Sequence, residues 1–358
     1  MSEVYFISIK NKEATTSLAE KAVSLIEKSG LTEKITKDDF TAIKTHFGEV
    51  GNIGHIHPTV IKNVADTLKA KSNRVFVAET NTLYAGSRSN SAEHTLLANK
   101  HGFGIDRIGV PIIIADGLKG RNFTSIKVSG RHFKEVKIAS DIIDCDYMVC
   151  LSHITGHMQA GVGGAIKNLG MGCASRAGKL EQHSSVLPEV LKEKCIACGV
   201  CMKWCPTDAI TIKNGKASID ENKCIGCGEC TVVCKVGAVE IKWSEEVKMV
   251  QEKIAEYALG VQNAIGKKNI FYINFVNHIT KDCDCMARDE APICDDIGIM
   301  ASWDPVAVDS ASINAVLETN GYDIFKKGYP KIDWSSQLIH GESIGLGSRI
   351  YEIEPILI

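Results

Sequence analysis

Two runs of cysteine carry the clearest chemistry in this chain. The first is Cys195, Cys198, Cys201 and Cys205, followed by Pro206; the second is Cys224, Cys227, Cys230 and Cys234. Both read C-x2-C-x2-C-x3-C, and the second begins 29 positions after the first. This spacing suits two [4Fe–4S] clusters: three thiolates of one run wrap one cluster in a tight loop, and the fourth ligates the other. The expected ligand sets are therefore Cys195, Cys198, Cys201 with Cys234, and Cys224, Cys227, Cys230 with Cys205. Ala197, Gly199, Gly226 and Gly228 are small enough for backbone N–H groups to approach sulfur. Zinc ribbons and disulfide frameworks are the competing readings, but zinc favours paired C-x2-C knuckles over triplets with a distal fourth cysteine. Lys235 follows Cys234 where Pro206 follows Cys205, a difference in the loop and not in the ligands.

A second stretch, from His153 to Cys173, crowds His153, His157, Gly161, Gly163, Gly164, Lys167 and Asn168 behind a predicted strand. Open α/β sheets bind ligands at the carboxyl edge of their strands. His157 and Lys167 are candidate proton-transfer or anchoring groups. Gly161, Gly163, Gly164 and Asn168 are candidates for holding a bound group, because glycine allows close backbone approach. Neither the GxxxxGK[ST] nor the GxGxxG order is present, so no nucleotide fingerprint applies. A structural glycine turn with a solvated lysine is the plainer alternative. Lys44-Thr45-His46 and Glu79-Thr80-Asn81-Thr82 end two other predicted strands and would reach the same edge of a parallel sheet. His46 joins the catalytic candidates on that ground. His55 and His57 precede a helix and suit capping or packing.

Six cysteines lie outside the two runs. Cys145 and Cys150 flank an apolar strand and suit core packing. Asp282-Cys283-Asp284-Cys285, with Cys294 nine positions after Cys285, is polar. Its thiols could bind a further metal, with Cys173 or His183 completing the set, form a redox pair, or lie idle.

Elements must position these groups. Apolar runs predict strands over 4–9, 41–47, 74–79, 111–115 and 147–152, alternating with helices over 13–29, 58–71 and 91–102. That alternation argues a parallel α/β sheet. It resumes after the cysteines with a helix over 244–259, strands at 270–275 and 298–301, and a helix from Asp304, an N-cap followed by Pro305, to Leu317. The expected organisation is an α/β host domain in two parts, 1–187 and 244–358, with an inserted bacterial-type two-cluster ferredoxin, itself α+β, over 188–243. Each cysteine run should end in a short helical piece, 206–210 and 236–239, and Asn214-Gly215 favours a two-residue hairpin turn. Roughly 50 residues bury little apolar core, so bound clusters should supply much of this unit's stability.

Composition bounds the function. The chain has 358 residues, 44% hydrophobic and 23% charged, with net charge −2. There is no basic footprint for nucleic acid and no apolar run of about 18 residues to span a membrane. The first ten residues alternate like a strand and lack a signal-peptide core. Fourteen cysteines without an export signal point to a reducing cytoplasm.

Several stretches resemble the family catalogued as domain of unknown function 362, whose members often carry an inserted two-cluster ferredoxin. The likeness runs through Lys167-Asn-Leu-Gly-Met-Gly-Cys173 to Gly178-Lys179, both cysteine runs, Asp282 to Cys285, and Asp296 to Asp309. A shorter stretch, His157-Met-Gln-Ala-Gly-Val-Gly-Gly-Ala-Ile-Lys167, resembles the nickel-pincer lactate racemases. That resemblance implies His157 as a proton-shuttling base, Lys167 as the anchor of an organic nickel cofactor, and His183, sixteen positions after Lys167, as a metal ligand.

The expected function is a redox enzyme in which two [4Fe–4S] clusters feed electrons to a substrate or cofactor near His46, Glu79, His157, Lys167 and His183. A redox partner protein or reductase would supply them. The alternatives are a ferredoxin-type carrier docking a partner enzyme, and a metal or cofactor assembly protein using Cys283, Cys285 and Cys294.

Overall fold

In the computed structural model, which describes residues 1–184, 187–241 and 246–357, one eight-stranded sheet organises the chain. Its strands are β1 (Ser2–Ser8), β2 (Phe40–Lys44), β3 (Arg74–Glu79), β4 (Ile112–Ile114), β5 (Tyr147–His153), β6 (Ile270–Val276), β7 (Gly298–Ser302) and β8 (Tyr351–Pro355). They lie in the order β8-β1-β7-β6-β5-β2-β3-β4. Strands before and after the cysteine runs thus share one sheet, and β5 pairs directly with β6. The fold is α/β with a mostly parallel sheet.

The expected strands and helices form with small shifts at their ends. The helices used below are α1 (Thr15–Lys28), α2 (Pro58–Lys69), α3 (Ala165–Gly170), α4 (Arg176–His183), α5 (Val247–Ile265) and α6 (Pro305–Asn320). Asp304 caps α6 by accepting from the N–H groups of Val306 and Ala307. His57 caps α2 through Thr59 N–H, and His55 stacks on His101, the bland roles expected of both. The start of the helix expected at 244, and the 243/244 boundary, lie outside the described residues.

One strand departs from a purely parallel sheet. β7 runs antiparallel to both β1 and β6. Residues 277–297 connect β6 to β7 without a helix, and a parallel return needs a crossover of a dozen or more residues that is usually helical. The hairpin Phe123–Lys127 with Glu135–Ala139, and the edge strand β8, were not expected from the sequence.

The sheet is covered on both faces, as parallel strands require. Ile43, Val149, Leu151 and Phe271 pack with α1 and α2 residues such as Leu25 and Val64. Met148, Cys150 and Tyr272 face the other core, with Ile254 of α5 and Val306 of α6. Cys145 and Cys150 are buried here, the packing role expected of them.

Residues 187–241 add no strand to the large sheet. They form two two-stranded sheets, Glu189–Val190 with Val239–Glu240 and Ile210–Lys213 with Lys216–Ile219. Asn214 and Gly215 turn the second hairpin with positive φ at both positions, 50° and 69°, as a type I′ turn needs. The short helices, Val200–Trp204 and Glu229–Val233, lie within each cysteine run and not after it as expected. Each starts after a glycine and carries the third cysteine of its run, so the helical turn occupies the x3 spacer before the fourth. Among the described residues no helix is long and apolar enough to cross a membrane.

Candidate functional site

The carboxyl ends of β2, β3 and β5 open into a cavity of about 380 Å³. Lys44 ends β2, Glu79 ends β3 and His153 ends β5, so pairing of adjacent parallel strands delivers three ionisable groups to one rim. The loop after β5 and helix α3 form a second wall with His157, Gly163, Gly164, Lys167 and Asn168. The segment after β6 adds Cys283, Asp284 and Cys285.

Buried ion pairs hold the rim. Glu79 sits 3.0 Å from Lys44 Nζ and 3.0 Å from the Arg88 guanidinium, and all three side chains are buried. Burial alone would raise the Glu79 carboxyl, but Lys44 and Arg88 together hold it down at about 2. Arg88 also contacts His46 Nε2 at 2.8 Å and His94 Nε2 at 3.1 Å. Burial first, then Arg88 and Lys167, push His46 well below the usual histidine range, so it is neutral. Lys44 donates to Asn168 Oδ1 at 2.8 Å, and the Asn168 amide donates to Leu151 O at 2.8 Å and Ser152 Oγ at 3.0 Å. Asn168 is therefore locked between two strand ends.

At the end of β5, His153 Nδ1 meets Asp284 Oδ2 at 3.0 Å while its Nε2 contacts Asn277 O at 2.9 Å. Burial opposes the charge on His153, but Asp284 outweighs it and the imidazole is shifted upward. His157 is different. Its Nδ1 accepts from the N–H groups of Gln159 at 3.1 Å and Ala160 at 2.9 Å. Burial, then Lys167 and His183, keep it neutral. Lys167 Nζ lies 3.8 Å from Cys283 Sγ. Burial lowers its ammonium to about 8, with Asp284 and Glu79 opposing that shift. Burial likewise takes Lys179 to about 8 and, with Lys167 and Lys179 adding to it, His183 to about 3. Cys283 and Cys285 are joined as a disulfide.

Most of the residues singled out in the sequence meet here: His46, His157, Lys167, Gly163, Gly164, Asn168, His183, Cys283 and Cys285 all line the cavity. Gly164 also serves packing, since a Cβ there would clash with the Asp309 carboxylate. Asp309 accepts from the N–H groups of Ala165 at 2.7 Å and Ile166 at 2.9 Å, fixing the start of α3. Three candidates do not reach the cavity lining. Gly161 has a φ of +74° and backs onto Trp334, so its role is a turn that leaves room for that side chain. Cys173 is fully buried among apolar residues, and burial raises its thiol to about 12. Cys294 packs half-buried against the same core beside Asn320. The further metal set built on Cys173 and Cys294 is therefore not assembled, because neither reaches the wall that carries Cys283 and Cys285. Arg88, Tyr84 and Lys179 were not singled out as site residues; Arg88 lies in a loop with no motif, and nothing local marks it.

The eight cysteines of the two runs are all unpaired thiols. Cys195, Cys198, Cys201 and Cys234 line one small hollow. Burial, then the neighbouring sulfurs of Cys227, Cys224, Cys201 and Cys205, push the Cys230 thiol up. Backbone N–H groups approach three sulfurs: Ala217 to Cys195 at 3.3 Å, Ala209 to Cys205 at 3.3 Å and Ala238 to Cys234 at 3.1 Å. The second run packs toward the cavity. Glu229, 1% exposed, pairs with Arg176 at 3.3 Å and Arg121 at 2.8 Å. Gly228 lies against Leu83 and Arg176. Arg176 opens α4, whose Lys179 and His183 line the cavity, as does Leu83.

Among solved structures, a structural-genomics protein from Thermotoga maritima is similar at 11% identity and a TM-score of 0.47, over 87% of this chain and 60% of that one. The lactate racemase apoprotein from Thermoanaerobacterium thermosaccharolyticum is similar at 12% identity and a TM-score of 0.40, over 77% of this chain and 50% of that one. The chain thus spans between half and three fifths of the length of these two proteins. No curated protein matches it. The family model for a domain of unknown function, DUF362, matches residues 41–314, most of the chain, and the chain belongs to that family.

Proposed function

We propose that this protein is an iron–sulfur redox protein whose residues 188–243 form an inserted two-cluster ferredoxin unit serving the cavity of the α/β domain. The observation that carries the reading is the gathering of eight unpaired thiols in a unit that packs, through Glu229 and Arg176, on the helix lining that cavity. Bound there, two [4Fe–4S] clusters would pass electrons one at a time. The donor set fits them. Cys195, Cys198, Cys201 and Cys234 share one hollow, the crossed set that the spacing implies, and N–H groups aimed at sulfur suit thiolates carrying cluster charge.

Direction follows from position. Cys198 is exposed, and Ile196 beside it is exposed too, which suits docking of a redox partner. The second run faces the cavity, so the Cys224, Cys227, Cys230 and Cys205 set is the inner one. Within the cavity Lys44, Lys167, Lys179 and Arg88 outnumber Glu79 and Asp284, which favours an anionic small molecule. Lys167 would hold its charge, and the neutral His46 and His157 would orient it or move a proton.

Protein purified without oxygen should carry about eight irons and eight sulfides per chain. A chain without iron after anaerobic reconstitution sinks the reading. A Lys167→Ala variant should retain its iron but bind small carboxylates at least tenfold more weakly by calorimetry. Unchanged reoxidation of the reduced protein in that variant would leave a ferredoxin-type carrier docking a partner enzyme.

A further inference from the structure

The disulfide between Cys283 and Cys285 is the one reactive feature of the cavity that the electron-transfer reading does not use. It lies in the loop between β6 and β7, and both cysteines line the cavity wall. Cys283 is buried, whereas Cys285 is partly exposed. A ring nitrogen of His157 lies within 4.8 Å of both sulfurs, and Lys167 Nζ is 3.8 Å from Cys283 Sγ. Asp284, between the two cysteines, is tied to His153, which pins the loop against the strand end.

Two chemistries fit two sulfurs and an imidazole: a Cys2His metal site with an open position, or a thiol–disulfide pair. The hydrogen bonds of His157 decide between them. A neutral imidazole has one lone pair. Here Nδ1 spends it on two backbone N–H groups, so the ring proton resides on Nε2. That leaves an N–H and no free lone pair for a metal. The adjacent ammonium of Lys167 also disfavours a cation and favours a thiolate. In a chain whose other described cysteines are all unpaired, a lone disulfide facing a cavity is of the kind that turns over.

We propose that Cys283 and Cys285 form a redox-active dithiol/disulfide pair that exchanges with a small thiol or disulfide entering the cavity. A thiolate of the entering molecule attacks the accessible Cys285 Sγ. The S–S bond breaks, and its electron pair leaves on Cys283 Sγ as a thiolate beside Lys167. A second small thiolate attacks the entering sulfur of the mixed disulfide and releases Cys285. The net change is one protein disulfide plus two small thiols to two protein thiols plus one small disulfide. The protons of the small thiols pass to the protein sulfurs. In reverse, the protein dithiol reduces a small disulfide. The exchange stands independently of any iron–sulfur cluster.

The test is differential alkylation of the full-length holoprotein in glutathione buffers of stepped redox poise, read by peptide mass spectrometry over residues 282–296. Cys283 and Cys285 should change together, blocked when oxidised and both alkylated when reduced. A Cys283→Ser variant should trap glutathione on Cys285. At fixed neutral pH, Lys167→Met should slow alkylation of reduced Cys283 about tenfold, with Lys167→Arg restoring most of the rate. Free thiols at both positions under the most oxidising buffer would overturn the proposal. So would one zinc per reduced chain that is lost in His157→Ala, the signature of the metal alternative. Iron content plays no part in these readouts, so their failure leaves the electron-transfer reading untouched.

Discussion

The cysteine unit and the cavity hold their functional groups by opposite means. In the unit, short loops carry the sulfurs, backbone N–H groups approach them, and the buried cluster comprises seven residues, three of them cysteines. In the cavity, Lys44, Glu79 and His153 ride on strand ends and Lys167 and Asn168 on a helix, all packed on a sheet with a deep core on each face, and buried ion pairs lock the rim. The first arrangement has little apolar burial of its own, so a ligand held by its thiols would supply much of its stability. The second is held by its own two cores and buried ion pairs. Under the function proposed above, a weakly cored unit would adjust around a cluster while a rigid cavity would preserve orientation for chemistry.

The largest expected effect tests the dependence of the unit on what it binds. Cys205→Ala should remove about four of about eight irons and unprotect amides across 187–241 in hydrogen exchange, leaving β2, β3 and β5 protected. Loss of protection throughout the sheet would break the comparison.

Glu79→Ala probes the cavity in the same way. It leaves Lys44 and Arg88 buried without their anion, and removing one member of such a pair costs about 3–5 kcal/mol. Urea unfolding should show that loss with iron content unchanged. Asp309→Ala should cost less, about 1–3 kcal/mol, by leaving the N–H groups of Ala165 and Ile166 without their acceptor.

The ionisations sharpen the contrast with pH. Glu79 titrates at about 2 in the fold against about 4.5 unfolded, so its stabilisation is complete above about 4.5 and is lost as pH falls toward 2. Lys167 has the other sign. Its ammonium titrates at about 8 in the fold and about 10.4 unfolded. The unfolded chain holds more protons between those values, so the burden of burying Lys167 is full below about 8 and is relieved as pH rises toward 10.4. The stability difference between wild type and Lys167→Met should therefore shift in favour of wild type across that window, measured by urea unfolding at pH 7.5 and 10. The smallest effect belongs to Cys294→Ser, outside both regions. It should change stability by less than about 1 kcal/mol and leave iron content unaltered.

Much of the fold was legible in the residues. Strand ends at Lys44, Glu79 and His153, and the caps at His57 and Asp304, follow from local pattern and were expected close to where they lie. The reversal of β7 was not, because strand direction depends on how a connection closes in space. Within the site, His157, Lys167 and Asn168 were recognisable because they crowd into one glycine-rich stretch. Arg88 was not, since its importance rests on Glu79 and His46, each more than eight positions away. Cys294 and Cys173 misled because proximity in sequence, or residue type alone, says nothing about which wall a side chain faces.

The amino-acid sequence by itself set the spacing of the two cysteine runs, and a tight loop converts a spacing of three or four residues directly into neighbouring sulfurs. It determined the α/β rhythm too, since hydrophobic periodicity is a local property. Tertiary structure alone decided that Glu79, Arg88 and Lys44 form one buried network. It alone brought Cys283 and Cys285 against Lys167 and His157, more than a hundred residues earlier. Those contacts depend on strand order and on which side of the sheet each loop closes, and no local pattern encodes either.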